Sequence, residues 1–509
     1  MVRVLPLFVA VPLGAAFMLP LFERLKKVRW LADLVAVAVT IFLFIFALQA
    51  MASPGAVYWM GKWSPESIIG INLVLDGLSA LMLFTINLVA FCATLFSIEY
   101  MKRFTSKPLY YSLFLLMVAG MNGVVLSGDM FNIYVFLEIA AIASYALVAF
   151  GVESEELEAS FKYLILGGLA STFILFGIGI LYNATGTLNM AQIAQTLGVP
   201  GQNKAVLLAI CFFFMGFGLK GAMVPFHAWL PDAHPSAPAP ISAMLSGVLI
   251  KALGVYALIR VLFNVVGVTE LVANALLIGG IASMTIGGLL AIGQWDFKRL
   301  LAYSSISQIG YILLGLGIAA GVLFRPEIPK AVAGLALFGS LYHLLNHAVF
   351  KGLLFLSSGA VEYATGTRNM REMGGLRHQM PITAGACRVG VFSIAGIPPF
   401  NGFFSKLIII LAAVLARYYI SAAVTTIISF VTLLYYIKVQ RYILDGDVPE
   451  ALEGVKEVPV LMQLSLIILA VLCVALGLFV PLLRESIFQE AERAILSGLE
   501  YVQLVLAGG

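Results

Sequence analysis

Four charged side chains lie inside apolar runs that are long enough to cross a membrane. They are Glu138, Lys220, Lys251 and Lys406. A charged side chain at the centre of a bilayer costs about 2.5–3.5 kcal/mol on insertion scales, so such residues usually mark an ion path or a proton relay. The sequence therefore predicts movement of charge through the membrane. The alternative is that these groups are buried as inert ion pairs, which leucine could replace with little loss.

A second group of titratable residues is spaced for one face of a helix. His343, His347 and Lys351 follow one another at intervals of four residues, which places them one above another. Histidine titrates near neutral pH and can both donate and accept a proton, so two stacked imidazoles beside a lysine suit a hydrated proton relay. Lys351 and His227 are secondary candidates for the path. Lys351 could equally be structural, and His227 could instead bond exposed backbone.

Proline interrupts two of the apolar runs close to a buried lysine. Pro225 follows Lys220, and Pro398 and Pro399 precede Lys406. Proline cannot donate a backbone hydrogen bond, and a broken helix at membrane depth persists only where it lines protein or water. Two interrupted helices with a lysine near each break favour the inverted-repeat architecture of transporters.

Other charged residues near the ends of the apolar runs are predicted to be structural. Asp76 and Asp129 stand where helices should start, which favours capping over ion binding. Arg260 and Arg388 are expected to reach the interface or to hold neighbouring segments.

The composition is that of a membrane protein. The chain is 61% hydrophobic and 11% charged, with a mean hydropathy of +1.02, whereas about a quarter of the residues in soluble domains are charged. This excludes a soluble catalytic domain, and the net charge of +4 gives no case for nucleic-acid binding. The four cysteines are scattered, without the spacing of a zinc or iron–sulfur site. We therefore expect no metal and no cofactor in this chain.

Fourteen apolar runs are long enough to cross a hydrocarbon core of about 30 Å. A final amphipathic segment from Arg484 to Val505 is typical of an interfacial helix rather than a span. The fourteen runs begin near Val4, Trp30, Asn72, Leu109, Met130, Lys162, Ala205, Ile241, Leu271, Leu300, Ala331, Ile382, Tyr418 and Val458.

Lysine and arginine are unevenly distributed between the connecting loops. With fourteen spans both termini lie on one side; loops on the opposite side carry sixteen Lys and Arg residues, and loops on the side of the termini carry nine. Cytoplasmic loops of membrane proteins are enriched in these residues. The sequence therefore predicts a multi-pass protein of the cell membrane with both termini outside the cytoplasm. The first loop on the richer side contributes Arg24, Lys26, Lys27 and Arg29.

Four motifs around these residues carry a family resemblance. In these four motifs the chain resembles the antiporter-like, proton-translocating subunits shared by respiratory complex I, Mrp-type sodium/proton antiporters and membrane-bound hydrogenases. The resemblance runs over nearly the whole length, in the family's order and spacing. The motifs are LKGAMVPFHAWLPDAHPSAPAPISAML, DFKRLLAYSSISQIGYI, LYHLLNHAVFKGLLFLSSGAV and GIPPFNGFFSKL.

The resemblance implies an all-α integral membrane fold with about fourteen transmembrane helices. Two inverted five-helix repeats are expected, with discontinuous seventh and twelfth helices. The implied segments are an N-terminal three-helix segment at 1–108, a first repeat at 109–263, a second repeat at 271–444, and a last span with a short amphipathic helix at 458–509.

The resemblance also assigns roles to single residues. Glu138 matches a fifth-helix glutamate that pairs with the seventh-helix lysine, here Lys220. Lys251 matches the eighth-helix lysine at the centre of the path, and Lys406 matches a charged residue that is glutamate in some relatives. The implied proton path runs through Glu138, Lys220, Lys251, His343, His347 and Lys406.

The resulting functional prediction is a proton or sodium/proton translocating subunit of a multisubunit membrane complex. The membrane arm of a redox-driven pump, of hydrogenase or dehydrogenase type, is the leading parent complex. An Mrp-type antiporter without redox partners is the alternative, and a stand-alone solute symporter or a non-transporting scaffold are alternatives of another class. The expected partners are other integral membrane subunits, including homologous antiporter-like chains, with a peripheral module holding any redox chemistry.

Overall fold

Helices make up most of the residues that the structure describes. The computed structural model describes residues 1–24, 30–63, 70–104, 106–198 and 203–507. Lys26, Lys27 and Arg29, which contribute to the predicted loop asymmetry, lie outside these ranges. The first elements are α1 (Leu7–Arg24), α2 (Leu31–Ala52), β1 (Ala56–Trp59), β2 (Asn72–Leu75) and α3 (Gly77–Tyr100).

A short antiparallel strand pair connects α2 to α3, and the sequence analysis did not predict it. Ala56 of β1 pairs with Leu75 of β2. The third span therefore begins at Gly77 rather than near Asn72, because Asp76 caps the helix. The Oδ1 atom of Asp76 accepts from Ser79 N at 2.9 Å, and Ser79 Oγ accepts from Asp76 N at 2.8 Å, which forms a capping box.

The next seven elements contain the first interrupted helix. One part ends at Lys220, and the following part begins at Leu230, so the break encloses Pro225 as predicted. The sixth helix begins at Ser154, about two turns before the predicted start near Lys162, because Glu153 and Glu156 form a capping box there. The elements are α4 (Lys107–Leu126), α5 (Met130–Val148), α6 (Ser154–Thr185), α7 (Met190–Leu197), α8 (Lys204–Lys220), α9 (Leu230–Ser236) and α10 (Ala239–Val265).

The second interrupted helix follows three continuous helices. Its two parts are separated by residues 396–400, which include Pro398 and Pro399, as predicted. Gly396 has a φ of 81°, a backbone conformation that side chains with a Cβ rarely adopt. The elements are α11 (Glu270–Ile292), α12 (Phe297–Val322), α13 (Lys330–Thr365), α14 (Leu376–Gln379), α15 (Pro381–Ala395), α16 (Asn401–Leu415), α17 (Tyr419–Leu444) and α18 (Val460–Leu478).

Twelve helices within the described residues are long and apolar enough to cross a membrane. The other two predicted spans, the seventh and the twelfth, are the interrupted pairs α8 with α9 and α15 with α16. Each piece of these pairs is shorter than a full span. The all-α membrane class is thus confirmed, whereas the total of fourteen spans stays a prediction.

Three helices form the interior of the bundle. The most apolar windows of α10, α12 and α13 are entirely buried, whereas less than half of the residues in those of α2, α6 and α17 are buried. Apolar side chains that face outward on these outer helices suit contact with lipid. Lys251, His343, His347 and Lys351, which lie on these inner helices, are therefore enclosed by protein.

The C-terminal segment covers one end of the bundle. Its apolar side faces protein: the ring of Phe488 lies 5.4 Å from that of Phe338 on α13, and Tyr501 Oη is 3.6 Å from Met190 Sδ. The segment also lies close to Gly77 at the start of α3. A Cβ atom at Gly77 would fall 2.3 Å from the Glu490 carbonyl carbon, so only glycine fits at this contact. The segment comprises α19 (Val480–Leu483), a π-helical turn (Arg484–Phe488), α20 (Gln489–Leu496) and α21 (Gly498–Ala507).

Candidate functional site

The predicted pair of Glu138 and Lys220 is formed. Glu138 lies in the middle of α5 and Lys220 at the end of α8, and Lys220 Nζ is 3.6 Å from Glu138 Oε1. Lys220 Nζ also donates to Tyr145 Oη at 3.2 Å, and Ser171 Oγ donates to Glu138 Oε1. The side chain of Lys220 is 2% exposed and that of Glu138 is 26% exposed. The pair therefore joins the protein interior to the outer surface of α5.

Lys251 lies at the centre of the bundle on an unusual stretch of helix. It is fully buried, and α10 is π-helical at Leu245–Leu249 and at Lys251–Tyr256. In a π-helix the backbone N–H bonds the carbonyl five residues earlier. Lys251 Nζ donates to that same i−5 carbonyl, Ser246 O, at 2.5 Å. Among the described residues Lys251 has no ion pair, so no counter-charge fixes its proton.

Two serine hydroxyls and two backbone carbonyls, those of Ser246 and Leu301, lie between Lys251 and Lys351. Ser246 Oγ lies 2.7 Å from Ser305 Oγ on α12, and Ser305 Oγ donates to Leu301 O at 2.9 Å. Lys351 Nζ donates to the same carbonyl, Leu301 O, at 2.7 Å. Lys251 and Lys351 are thus linked through Ser246, whose carbonyl bonds Lys251 and whose hydroxyl continues toward Ser305 and Leu301.

The two predicted histidines lie next to each other on α13. The ring centroids of His343 and His347 are 6.4 Å apart, as the four-residue spacing predicts, and both side chains are fully buried. His343 Nδ1 is 2.9 Å from Ser405 Oγ on α16. The other ring nitrogens, His343 Nε2 and both nitrogens of His347, have no hydrogen-bond partner among the described residues. They are therefore free to exchange protons with water or a neighbouring group.

Lys406 is held by the break between α15 and α16. Its Nζ donates to Ile394 O at 2.7 Å, a carbonyl in the last turn of α15 that has no partner within its own helix. The same Nζ lies 5.1 Å from the ring centroid of Tyr311, and that ring is 5.4 Å from the ring of His343. Tyr311 thus links Lys406 to the histidine pair.

The structure places His227 apart from this group. His227 lies in the break between α8 and α9, is half-buried, and shows no hydrogen bond or ring contact with the buried lysines in the described part of the chain. Its backbone carbonyl accepts from Leu230 N at 3.1 Å. The geometry therefore favours the structural interpretation of His227.

Sequence reasoning missed His234, which lies among the lysines. Its ring is fully buried, stacks on Phe355 with centroids 4.6 Å apart, and neither nitrogen has a partner among the described residues. It lies within electrostatic reach of Lys251, Lys298 and Lys351. His234 stands on α9, beyond the break, so no helical spacing connects it to the other titratable residues. Its position in the quoted LPDAHPSAPAP motif was the available signal.

The charged residues that were predicted to be structural, near the ends of the spans, form ion pairs or cap a helix. Arg260 NH1 and NH2 lie 2.6 and 2.8 Å from the two oxygens of Asp76. Asp129 caps α5 through a bond from Asn132 N to its Oδ1 at 2.8 Å. Arg388 NH2 donates to Asp445 Oδ1 at 2.8 Å. Arg260 is buried rather than extended toward an interface.

Family models match most of the chain. Residues 127–432 match the model described as NADH:quinone oxidoreductase/Mrp antiporter, TM, and every residue of the predicted path lies within this range. Residues 63–111 match a second model, described as NADH-Ubiquinone oxidoreductase (complex I), chain 5 N-terminus.

Similar proteins belong to more than one kind of complex. The chain is 36% identical to an NADH-quinone oxidoreductase subunit of Desulforudis audaxviator over 85% of this chain and 87% of that protein. It is 32% identical to a Na(+)/H(+) antiporter subunit of Alkalihalophilus pseudofirmus over 99% of both proteins. A chain of the membrane-bound sulfane sulfur reductase, an archaeal respiratory membrane complex, matches with a TM-score of 0.88 and 31% identity over 99% of this chain and 100% of that one. The chain therefore belongs to the NADH:quinone oxidoreductase/Mrp antiporter family of membrane proteins.

Proposed function

We propose that this chain translocates protons as an antiporter-like subunit of a multisubunit membrane complex. The observation that carries the proposal is a set of titratable side chains inside the bundle, among them the fully buried Lys251, which has no ion pair with any residue that the structure describes. Two further titratable residues lie beside these side chains: Lys351, which bonds Leu301 O, and His234, which is within electrostatic reach of Lys251. The proposed path comprises Glu138, Lys220, Lys251, His343, His347 and Lys406.

The proton would move because the surroundings of a lysine change when its ion pair breaks or forms. Burial favours the neutral form of a lysine, whereas a nearby carboxylate favours the charged form. Separation of Glu138 from Lys220 would release a proton from Lys220 toward Lys251, and re-formation of the pair would take one up. The pair is loose enough for this, since Nζ and Oε1 are 3.6 Å apart and each has a neutral hydroxyl partner in Tyr145 or Ser171.

Unpartnered polar atoms mark where water would complete the path. Buried polar groups in proteins are almost always paired with protein or with water. In the described residues, the ring nitrogens of His234 and His347 and both side-chain polar atoms of Gln308 lack a protein partner. These residues lie on α9, α13 and α12, and a hydrated interior between these helices satisfies them.

The proposed parent complex is the membrane arm of a redox-driven pump. The match to an NADH-quinone oxidoreductase subunit and the fold shared with a chain of the sulfane sulfur reductase support this proposal. An Mrp-type antiporter is the second candidate, because the match to the Na(+)/H(+) antiporter protein spans both chains. The redox-driven pump and the Mrp-type antiporter can be distinguished by purifying the complex and identifying its chains. Iron–sulfur or nickel–iron subunits favour the first, and small membrane subunits alone favour the second.

The proposed placement has both termini outside the cytoplasm of the cell. The loop asymmetry of lysine and arginine supports it. The proposed division into segments 1–108, 109–263, 271–444 and 458–509 is consistent with one interrupted helix in each of the two middle segments. These two middle segments are the proposed inverted repeats.

The experiment that tests the function is proton translocation by the purified complex in liposomes. Lys251→Ala should abolish translocation and leave the complex assembled, because Lys251 is the central exchangeable group. Lys102→Ala is the matched control, since Lys102 is 58% exposed and pairs with the neighbouring Glu99. Normal translocation by the assembled Lys251→Ala complex would contradict the proposal and favour a scaffold. Substrate-dependent uptake by this chain alone would favour a symporter.

A further inference from the structure

A charged vestibule opens at the end of the bundle that lies away from the C-terminal segment. It is a cavity of about 740 Å³ between the last turns of α3 and α13, the first turn of α12, and the residues that join α5 to α6 and α9 to α10. Both middle segments of the chain therefore contribute to its wall. It is large enough for many water molecules, whose share of liquid volume is about 30 Å³ each.

Carboxylates outnumber cationic groups in the wall of this vestibule. Asp296 and Arg368 neutralise each other, with Arg368 Nε 3.3 Å from Asp296 Oδ2. A cleft lined by one excess sign of charge concentrates counter-ions, so this cleft favours cations. The carboxylates are Glu153, Glu156, Asp296, Glu362 and Glu372, and the cationic groups are Arg103, Lys298 and Arg368.

An ion pair forms the floor of the vestibule. Lys298 Nζ lies 2.9 Å from Glu362 Oε2 and donates to Ala237 O at 3.2 Å. The side chain of Lys298 is 2% exposed, whereas that of Glu362 is 22% exposed. Both residues line the cavity, and the carboxylate side chain is the more exposed of the two.

A buried histidine outside the six-residue path lies within electrostatic reach of this ion pair. His234 on α9 is fully buried, lacks a partner for either ring nitrogen among the described residues, and lies within electrostatic reach of Lys298. The same ring is within reach of Lys251 and Lys351. Lys298 is therefore paired with Glu362 at the vestibule and is also within electrostatic reach of His234, which in turn reaches the inner lysines.

We propose that Glu362 and Lys298 form a proton gate between the vestibule and His234. The inference rests on the proposed proton translocation and adds the place where the path meets water. A proton from the vestibule binds the carboxylate of Glu362, which removes the counter-charge of Lys298. Lys298 then gives one proton to His234 and, as a neutral amine, takes the proton from Glu362. The ion pair is restored, and one proton has moved inward.

The alternative is an ion pair that only fastens α12 to α13. Arginine distinguishes the two, because it keeps the charge and the pairing but does not release its proton in proteins. The assembled Lys298→Arg complex should translocate protons at least about 100-fold more slowly than wild type, within the range of general acid–base contributions. Glu362→Gln should behave in the same way. The control is the pair of Lys102 and Glu99 on the same end of the bundle, whose lysine is 58% exposed. It is altered as Lys102→Arg and Glu99→Gln, with the wild-type rate expected.

Wild-type translocation by an assembled Lys298→Arg complex would overturn the gate and leave a structural pair. If Lys251→Ala is inactive in the same assay, the proposed function stands without the gate; if Lys251→Ala is also active, the proposed function itself fails.

A second measurement does not depend on altering the ion pair. Ser236 lines the vestibule, so Ser236→Cys in a Cys211→Ser background should react with a membrane-impermeant thiol reagent from one side only. Translocation should then be blocked, whereas modified Lys102→Cys should remain active. Full activity of the modified Ser236→Cys complex would contradict a water path through the vestibule.

Discussion

Lys220 Nζ lies 3.6 Å from Glu138 Oε1, and the two partners have different access to the surroundings of the chain. The lysine side chain is 2% exposed, and the carboxylate side chain is 26% exposed on α5. A group on a neighbouring subunit that approaches α5 can therefore reach Glu138 without entering the bundle. This arrangement allows an outside event to change the charge balance of the buried Lys220.

Removal of either member of this pair should uncouple the subunit. Glu138→Gln and Lys220→Ala should each abolish coupled proton transport in liposomes. The carboxylate of Glu138 stabilises the charged form of Lys220, so without either residue the pair can no longer take up and release a proton. Blue-native electrophoresis should show an intact complex for both. Glu155→Gln is the control, since Glu155 is exposed at the first turn of α6. An assembled Glu138→Gln complex that transports at the wild-type rate would refute the coupling role.

The Asp76 and Arg260 pair should matter for stability and not for transport. Asp76→Asn keeps an N-cap side chain for α3 but removes the negative charge, so the buried Arg260 loses the counter-charge of Asp76. Breaking a buried ion pair on one side costs about 3–5 kcal/mol. The thermal unfolding temperature of the purified complex should fall, while transport per intact complex at low temperature stays unchanged. A loss of transport at full assembly would place Asp76 in the path instead.

The C-terminal segment should hold the bundle more tightly at low pH. Burial raises the pKa of Glu492 to about 7 from a usual 4.5, although Arg484 Nε, 3.7 Å away, partly opposes this. The raised pKa means that docking favours the protonated acid, so the stabilisation is complete below about pH 4.5 and is lost as the pH rises through about 7.

Hydrogen exchange of residues 484–507, corrected for its intrinsic pH dependence, measures this effect. Protection should decrease between about pH 5 and about pH 8, across the unfolded and folded pKa values. Glu492→Gln should remove the pH dependence, and Glu490→Gln, at a half-exposed side chain paired with Arg493, should retain it. An identical pH profile for Glu492→Gln and wild type would contradict the role of Glu492.

Much of the site follows from the sequence because the bilayer makes buried charge conspicuous. Glu138, Lys220, Lys251 and Lys406 are expensive in an apolar run wherever the helix boundaries fall. The adjacency of His343 and His347 follows from helical periodicity alone. The breaks follow from proline, which cannot continue the backbone ladder.

The features that sequence reasoning missed depend on distant partners or on irregular backbone. The short, mainly apolar run Asn72–Leu75 is compatible with either a helix or a strand. Only its pairing with Ala56–Trp59 makes it a strand. His234 follows a break, so helical spacing cannot relate it to other residues. Lys298 and Glu362 lie near opposite ends of two successive helices, and only the antiparallel packing of those helices brings them together.

The most direct test of the central claim is proton translocation by the reconstituted complex with Lys251→Arg. Arginine preserves a positive charge at the centre of the bundle but does not release a proton in proteins. If protons pass through Lys251, the assembled Lys251→Arg complex should translocate about as poorly as Lys251→Ala, at least about 100-fold below wild type. Wild-type translocation by Lys251→Arg, with Lys251→Ala inactive, would show that charge alone is needed at this position and would contradict proton exchange through Lys251.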